Sequence, residues 1–211
     1  MNEAREFTTS DRHAAGATEQ LWIDGCGGFR LATGTSWSLG GPSASKDESA
    51  TIQIQADLPR MAGRILRNDS DYFWMPAKNR GAESSSADSN QAPTHQEKVW
   101  LDVDRPLPLP GSAKLDLSVP SPLSASAVLT LRRPHRFAGH IDAVILVADT
   151  VLIGPGKHCH LRCDDLFRRV ALSHRENGWY LIRRDRDDLL LIPGQRVVVD
   201  EISLTLSKGS W

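Results

Sequence analysis

The feature that most constrains this chain is a repeat within itself, four landmarks long and kept in order. The first copy reads Leu39-Gly40-Gly41, then Asp57-Leu58-Pro59-Arg60, then Tyr72-Phe73-Trp74, and then Leu109-Pro110-Gly111 followed by Leu115 and Leu117. The second reads Ile153-Gly154-Pro155, Asp165-Leu166-Phe167-Arg168, Trp179-Tyr180-Leu181, and Ile192-Pro193-Gly194 followed by Val197 and Val199. The first copy is longer because of one stretch between its aromatic and Pro-Gly landmarks. There, 78–96 collects Gly81, Ser84, Ser85, Ser86, Ser89 and Pro93 with no large apolar residue, the composition of a flexible loop insertion.

Within each copy the apolar residues alternate with period two. Ile52 and Ile54 alternate with Gln53 and Gln55, Leu115 and Leu117 flank Asp116, and Ile202, Leu204 and Leu206 alternate with Ser203 and Thr205. Such alternation predicts half-buried strands, and Gly, Pro or Asp breaks the pattern about every ten residues, the rhythm of a sandwich or barrel. Ala143 to Leu152 is a nearly continuous Val, Ile and Leu run broken at Asp149 and Thr150. It suits a strand buried on both faces or two short strands joined by a tight turn. The expectation is an all-β chain of two β-sandwich halves: 1–19 as a disordered tail, 20–133 as a first domain with the 78–96 insertion, and 137–211 as a second, shorter domain.

An apolar residue before Gly, an Asp-Leu-x-Arg segment, an aromatic strand and a terminal hairpin marked by Pro-Gly together resemble the forkhead-associated (FHA) domain, twice over. The resemblance covers Leu21 to Arg133 and Ala143 to Ser207. The opening Leu21-Trp22-Ile23-Asp24-Gly25 with Gly27-Gly28-Phe29 is similar to that of bacterial FHA-like proteins. It implies an eleven-strand sandwich in each half and a family that reads phosphothreonine on partner proteins. The family's phosphate ligands are absent, however. Gly41 and Pro155 stand where an Arg would fork onto phosphate, Pro59 and Phe167 where a Ser would bind it, and Ala62 and Val170 where a structural His belongs. The later loops hold Asp102, Asp104 and Arg105 in one copy and Asp185, Arg186, Asp187 and Asp188 in the other, with no Asn-Gly pair. The scaffold reading is therefore a non-enzymatic, phosphorylation-independent protein-interaction module of signalling type. Arg60, Arg64, Arg168 and Arg169 are its candidate anion- or partner-binding residues. Phosphothreonine binding through rearranged ligands is the alternative.

Other chemistries fare worse. Lys157-His158-Cys159-His160-Leu161-Arg162-Cys163 offers zinc-type ligands, but strand alternation sends Cys159 and Cys163 to one face and His158 and His160 to the other, so a metal site at 158–163 is a lesser alternative and no cofactor is expected. Ser173 and His174 are adjacent and would point apart on a strand, so they make no nucleophile pair. Gly25-Cys26-Gly27-Gly28 lacks the Lys of a phosphate loop and reads as a hairpin turn. The aromatics Tyr72-Phe73-Trp74, with Trp22, Trp37, Trp100 and Trp179, read as core packing, although alternation within the triplet exposes at least one ring. A net charge of −1 provides no field to draw nucleic acid. No apolar run is long enough for a membrane helix. Three cysteines, Cys26, Cys159 and Cys163, make no disulfide framework, although one pairing stays open, and the expected setting is the cytoplasm.

Overall fold

A computed structural model of the chain describes residues 18–43, 50–77, 98–103 and 105–209. The expected tail up to residue 17 and the expected insertion at 78–96 lie outside them. The protein is all-β, with three multi-stranded sheets and, among the described residues, no helix. A hairpin of β1 (Thr18–Ile23) and β2 (Gly27–Ala32) comes first. Seven strands then carry the first copy: β3 (Ser36–Gly40), β4 (Ile52–Gln55), β5 (Gly63–Asn68), β6 (Asp71–Pro76), β7 (Val99–Trp100), β8 (Leu115–Ser118) and β9 (Ala127–Leu131). Two connecting strands follow, β10 (Arg136–Phe137) and β11 (Ala143–Leu146). Seven more carry the second copy: β12 (Thr150–Gly154), β13 (Leu161–Arg162), β14 (Val170–Arg175), β15 (Gly178–Ile182), β16 (Leu189–Leu191), β17 (Arg196–Val199) and β18 (Ile202–Lys208).

The repeat in sequence is a repeat in topology. In the first copy β3 runs parallel to β4 and antiparallel to β5, and β5, β6 and β7 follow as a meander. In the second, β12 stands in the same relation to β13 and β14, followed by β15 and β16. The aromatic landmarks coincide through the ladder. Ile65 faces Trp74 as Leu172 faces Leu181, which makes Tyr72 and Trp179 equivalent. The Pro-Gly landmarks coincide in backbone angle, with φ of +82° at Gly111 and +83° at Gly194, the third position of a turn that Pro opens and that favours Gly.

Those two glycines give a paired test. An added Cβ at Gly194 meets nothing within 4 Å, whereas at Gly111 it would stand 2.8 Å from the Asp57 carbonyl oxygen. Both Ala substitutions carry a left-handed backbone penalty of about 1–2 kcal/mol. Gly111→Ala should exceed Gly194→Ala by about 1 kcal/mol or more, since its neighbour is main chain that yields poorly. Urea midpoints of the two variants check this, and equal losses would refute it.

The two copies are not separated in space at the 133–137 boundary read from the sequence. The seven-stranded sheet has the order β17-β18-β1-β2-β11-β9-β8 and draws strands from both sides of that boundary. The last strand of the first copy, β9, pairs with β11, while the last strand of the second, β18, pairs with β1 at the other end of the sequence. β11 and β2 then pair in parallel at the centre. The central strands are buried on both faces, so β11 is wholly apolar and β2 is apolar but for Gly27, Gly28 and Arg30. Phe29, Leu31, Ala143 and Ile145 point to one core, with Trp179, Leu172 and Leu204, while Ala32, Val144 and Leu146 point to the other, with Trp37, Trp74 and Ile65. Hence the six-stranded sheet (β10-β4-β3-β5-β6-β7) and the five-stranded sheet (β13-β12-β14-β15-β16) cover opposite faces of the shared one.

The N-terminal hairpin accordingly belongs to the second core. Its strand begins at Thr18, within the stretch expected as tail, because Glu19 finds a ladder partner in Lys208 and its carboxylate accepts the Trp179 indole N–H. The Gly25-Cys26-Gly27 segment is the expected hairpin turn, closed by the Cys26 N–H donating to the Ile23 carbonyl at 3.0 Å. The run from Ala143 to Leu152 is both things considered for it, a doubly buried strand and then a second strand.

Candidate functional site

Arg60 sits on the loop between β4 and β5 with Arg64 at the start of β5, and Arg168 and Arg169 sit on the counterpart loop between β13 and β14. Parallel pairing of β3 with β4 brings the first loop across Gly40 and Gly41. The Gly41 N–H donates to Pro59 O at 2.8 Å and the Ala62 N–H donates to Leu39 O at 2.8 Å. The approach is so close that a Cβ on Gly40 would fall 1.9 Å from Arg60 O, and one on Gly41 2.3 Å from Leu58 O. The Gly-Gly landmark thus seats a backbone crossing, the close-approach use of glycine. In the second copy Gly154 lies under the Cα of Arg169, at 3.0 Å from an added Cβ.

Arg60 is exposed on its loop, and Arg64 is exposed on β5 between Ser38 and Met75. Arg168 and Arg169 are exposed on the other loop. The Arg168 guanidinium stands 4.0 Å from Asp185 on the β15–β16 hairpin, with both side chains about three-quarters exposed at 74% and 76%. An exposed pair of this kind contributes little to stability, but it sets a carboxylate where a phosphate would compete. Arg169 edges a cavity of about 300 Å³ with Leu123, Thr150 and Ile182. Because the two loops belong to sheets on opposite faces of the shared sheet, the arginines form two separate pairs.

The ladder corrects one residue of the repeat. Leu39 faces Gly63 and Ile153 faces Val170, so Val170 corresponds to Gly63 and not to Ala62, and the step from the Asp-Leu-x-Arg landmark to the strand is one residue shorter in the second copy. The residue at the loop's tip there is Phe167, 79% exposed.

The His/Cys segment folds differently from the strand expected of it. Only Leu161 and Arg162 are in ladder, and the turns on either side break the alternation. Cys163 forms a disulfide with Cys26, their Cα atoms 5.8 Å apart, so this is the pairing that the sequence left open. Cys159 remains a buried thiol. His158 is exposed as expected, its Nδ1 3.3 Å from Pro120 O, but His160 is buried instead of lying on the surface. Its Nδ1 accepts the Leu152 N–H at 2.9 Å, which places the proton on Nε2. Burial holds its pKa below the ordinary histidine value, with the Ser126 backbone opposing the shift. With the Cys163 sulfur and His160 Nδ1 already engaged, the segment has two zinc-type ligands fewer than the sequence suggests. Among the described residues no group of three or more His, Cys, Asp and Glu is placed to hold a metal ion.

Ser173 and His174 sit on neighbouring positions of β14, where side chains point apart, and His174 lies against Trp179 at 4.8 Å between ring centroids. Trp37, Tyr72, Trp74 and Trp179 are core as expected, but Trp22 and Trp100 are exposed at 38% and 57%, and Phe73 turns outward with the Lys98 ammonium 3.6 Å over its ring. Two features escaped the sequence reading. Arg30 is 1% exposed in the centre of the shared sheet and burial brings its pKa down to about 10, with nothing in the motif around it to signal this. The bridge joins cysteines separated by 137 positions, a distance no local pattern spans. Among the described residues no helix is long and apolar enough to cross a membrane. No family model matches the chain, and no curated protein or solved structure matches it either.

Proposed function

We propose that the chain is a non-enzymatic protein-interaction module on a degenerate, twice-repeated FHA-like scaffold, and that it engages a protein partner without phosphorylation. The observation that carries this reading is the tip of the β13–β14 loop. A phosphate reader needs a Ser there, and this chain presents Phe167 with 79% of its surface exposed. The neighbouring Arg168 already faces Asp185. An apolar ring beside a compensated cation suits a partner's apolar side chain better than a dianion. The Cys26–Cys163 bridge supports a setting in which thiols oxidise over the cytoplasm expected from the low cysteine count.

The test is retention of proteins from the native host's lysate on the immobilised chain, with and without phosphatase treatment, on wild type and on Phe167→Ala. One partner should stay bound after phosphatase and fall about tenfold or more with Phe167→Ala, the effect of losing one buried aromatic anchor. A partner lost on phosphatase treatment and on substitution of Arg60 or Arg168 overturns the reading in favour of phosphothreonine recognition.

A further inference from the structure

Between β9 and β11 the chain folds over a cavity of about 590 Å³, within the range of small-molecule sites. Arg133, His135, Arg136 and His140 line it, and Leu131, Phe137 and Ile141 supply its apolar surface. Phe137 and Ile141 are only 3% and 6% exposed, so that surface is anchored in the first core. Asp142 is the sole carboxylate among the lining residues, and its Oδ2 already accepts the Gly28 N–H at 2.9 Å.

The walls are preformed. β10 is in ladder with β4 through Arg136 opposite Gln55 and Phe137 opposite Ile54, and the Ala138 N–H donates to Gln53 O at 3.0 Å. The Gln20 side chain donates to Gly139 O at 3.2 Å, and Ser112 Oγ lies 3.2 Å from His135 Nε2. Arg132 is turned away onto Asp116 by two hydrogen bonds of 2.6 and 2.8 Å, while its neighbour Arg133 lines the cavity. Beneath the same connection lies Arg30, whose terminal nitrogen would be 3.5 Å from a Cβ at Gly139. Two arginines on the wall, against one carboxylate already engaged by the Gly28 N–H, give the cavity a positive potential over an apolar floor.

We propose that this cavity binds a small organic anion, with a phosphate or carboxylate head met by Arg133 and Arg136 and a ring-sized apolar body resting on Leu131, Phe137 and Ile141. The test is calorimetric titration of the full chain with 1-naphthyl phosphate, 1-naphthoate and the neutral 1-naphthalenemethanol. At least one of the two anions should bind saturably at one site per chain, about tenfold or more tighter than the alcohol, and which one binds distinguishes a phosphate from a carboxylate ligand. Arg133→Gln with Arg136→Gln should weaken that binding about tenfold or more. Both side chains are exposed, so the melting temperature should hold. Arg184→Gln with Arg186→Gln, on the exposed β15–β16 hairpin over the other core, should leave the affinity unchanged. The proposal is overturned if neither anion saturates below about 10 mM, if the alcohol binds equally well, or if the Arg133 and Arg136 variant binds like wild type.

Discussion

Breaking the Cys26–Cys163 bridge, by Cys26→Ser with Cys163→Ala or by a dithiol reductant, should lower the free energy of unfolding by up to about 5 kcal/mol. The link closes a loop of 137 positions, and loop-closure entropy grows with the logarithm of length, so a bridge this long sits near the top of the range. Its place in the fold matters as much. Cys163 is wholly buried in the second core, and Cys26 sits at the turn of the hairpin that closes that core from the far end of the sequence. The bridge therefore ties the turn of an exchanged hairpin to the sandwich it completes. The β1–β18 ladder persists without it, so the variant should fold at a lower urea midpoint. Cys163 is wholly buried, which keeps a reductant from the bridge, so reduction of the native protein should be slow until urea opens it. Alkylation and mass spectrometry complete the measurement: the native chain should show at most one reactive thiol, Cys159, and the reduced, unfolded chain three. Three reactive thiols in the native protein, or a midpoint indifferent to reductant, would refute a structural bridge.

Trp179→Ala should cost about 3–5 kcal/mol, the range for emptying a large aromatic site in a close-packed core. The indole is 1% exposed, packs within the second core and donates its N–H to Glu19 on β1. Trp179→Phe separates the two contributions, since it keeps most of the apolar contact and removes the donor. It should cost about 1–3 kcal/mol, the penalty of leaving a partly buried charged acceptor without its partner. The equivalent position in the first copy, Tyr72, donates its hydroxyl to Ala125 O at 2.6 Å. That bond is to a neutral acceptor, so Tyr72→Phe should cost only about 1 kcal/mol. Urea unfolding of the three variants decides it, and a Trp179→Ala loss under about 1 kcal/mol would place Trp179 outside a packed core.

Much of the strand content could be read from the residues because strands and turns are encoded locally. Alternation at Ile52 to Gln55 and at Ile202 to Leu206 follows from the two-residue period of a half-buried strand, and the Pro-Gly landmarks follow from a backbone angle that glycine adopts at little cost. Tyr72 and Trp179 were legible as core for the same reason. The His/Cys segment was legible in part: Cys159, Leu161 and Cys163 are buried and His158 is exposed as alternation predicts, but the chain turns on both sides of a two-residue ladder and buries His160 as well. Arg60 and Arg168 were legible as the Arg of the repeated Asp-Leu-x-Arg landmark, but the Asp185 carboxylate opposite Arg168 comes from a hairpin seventeen residues on.

By itself, then, the sequence determined that the chain is all-β and that its landmarks occur twice. Only the tertiary structure decided that β9 closes on β11 and β18 on β1, that one sheet serves two cores, and that Cys26 reaches Cys163. The physical reason is that main-chain ladders are made by the same N–H and C=O groups at every position, so no side-chain pattern tells a strand which edge to join. That choice is made by the fit of whole apolar faces, which exists only once both cores have formed.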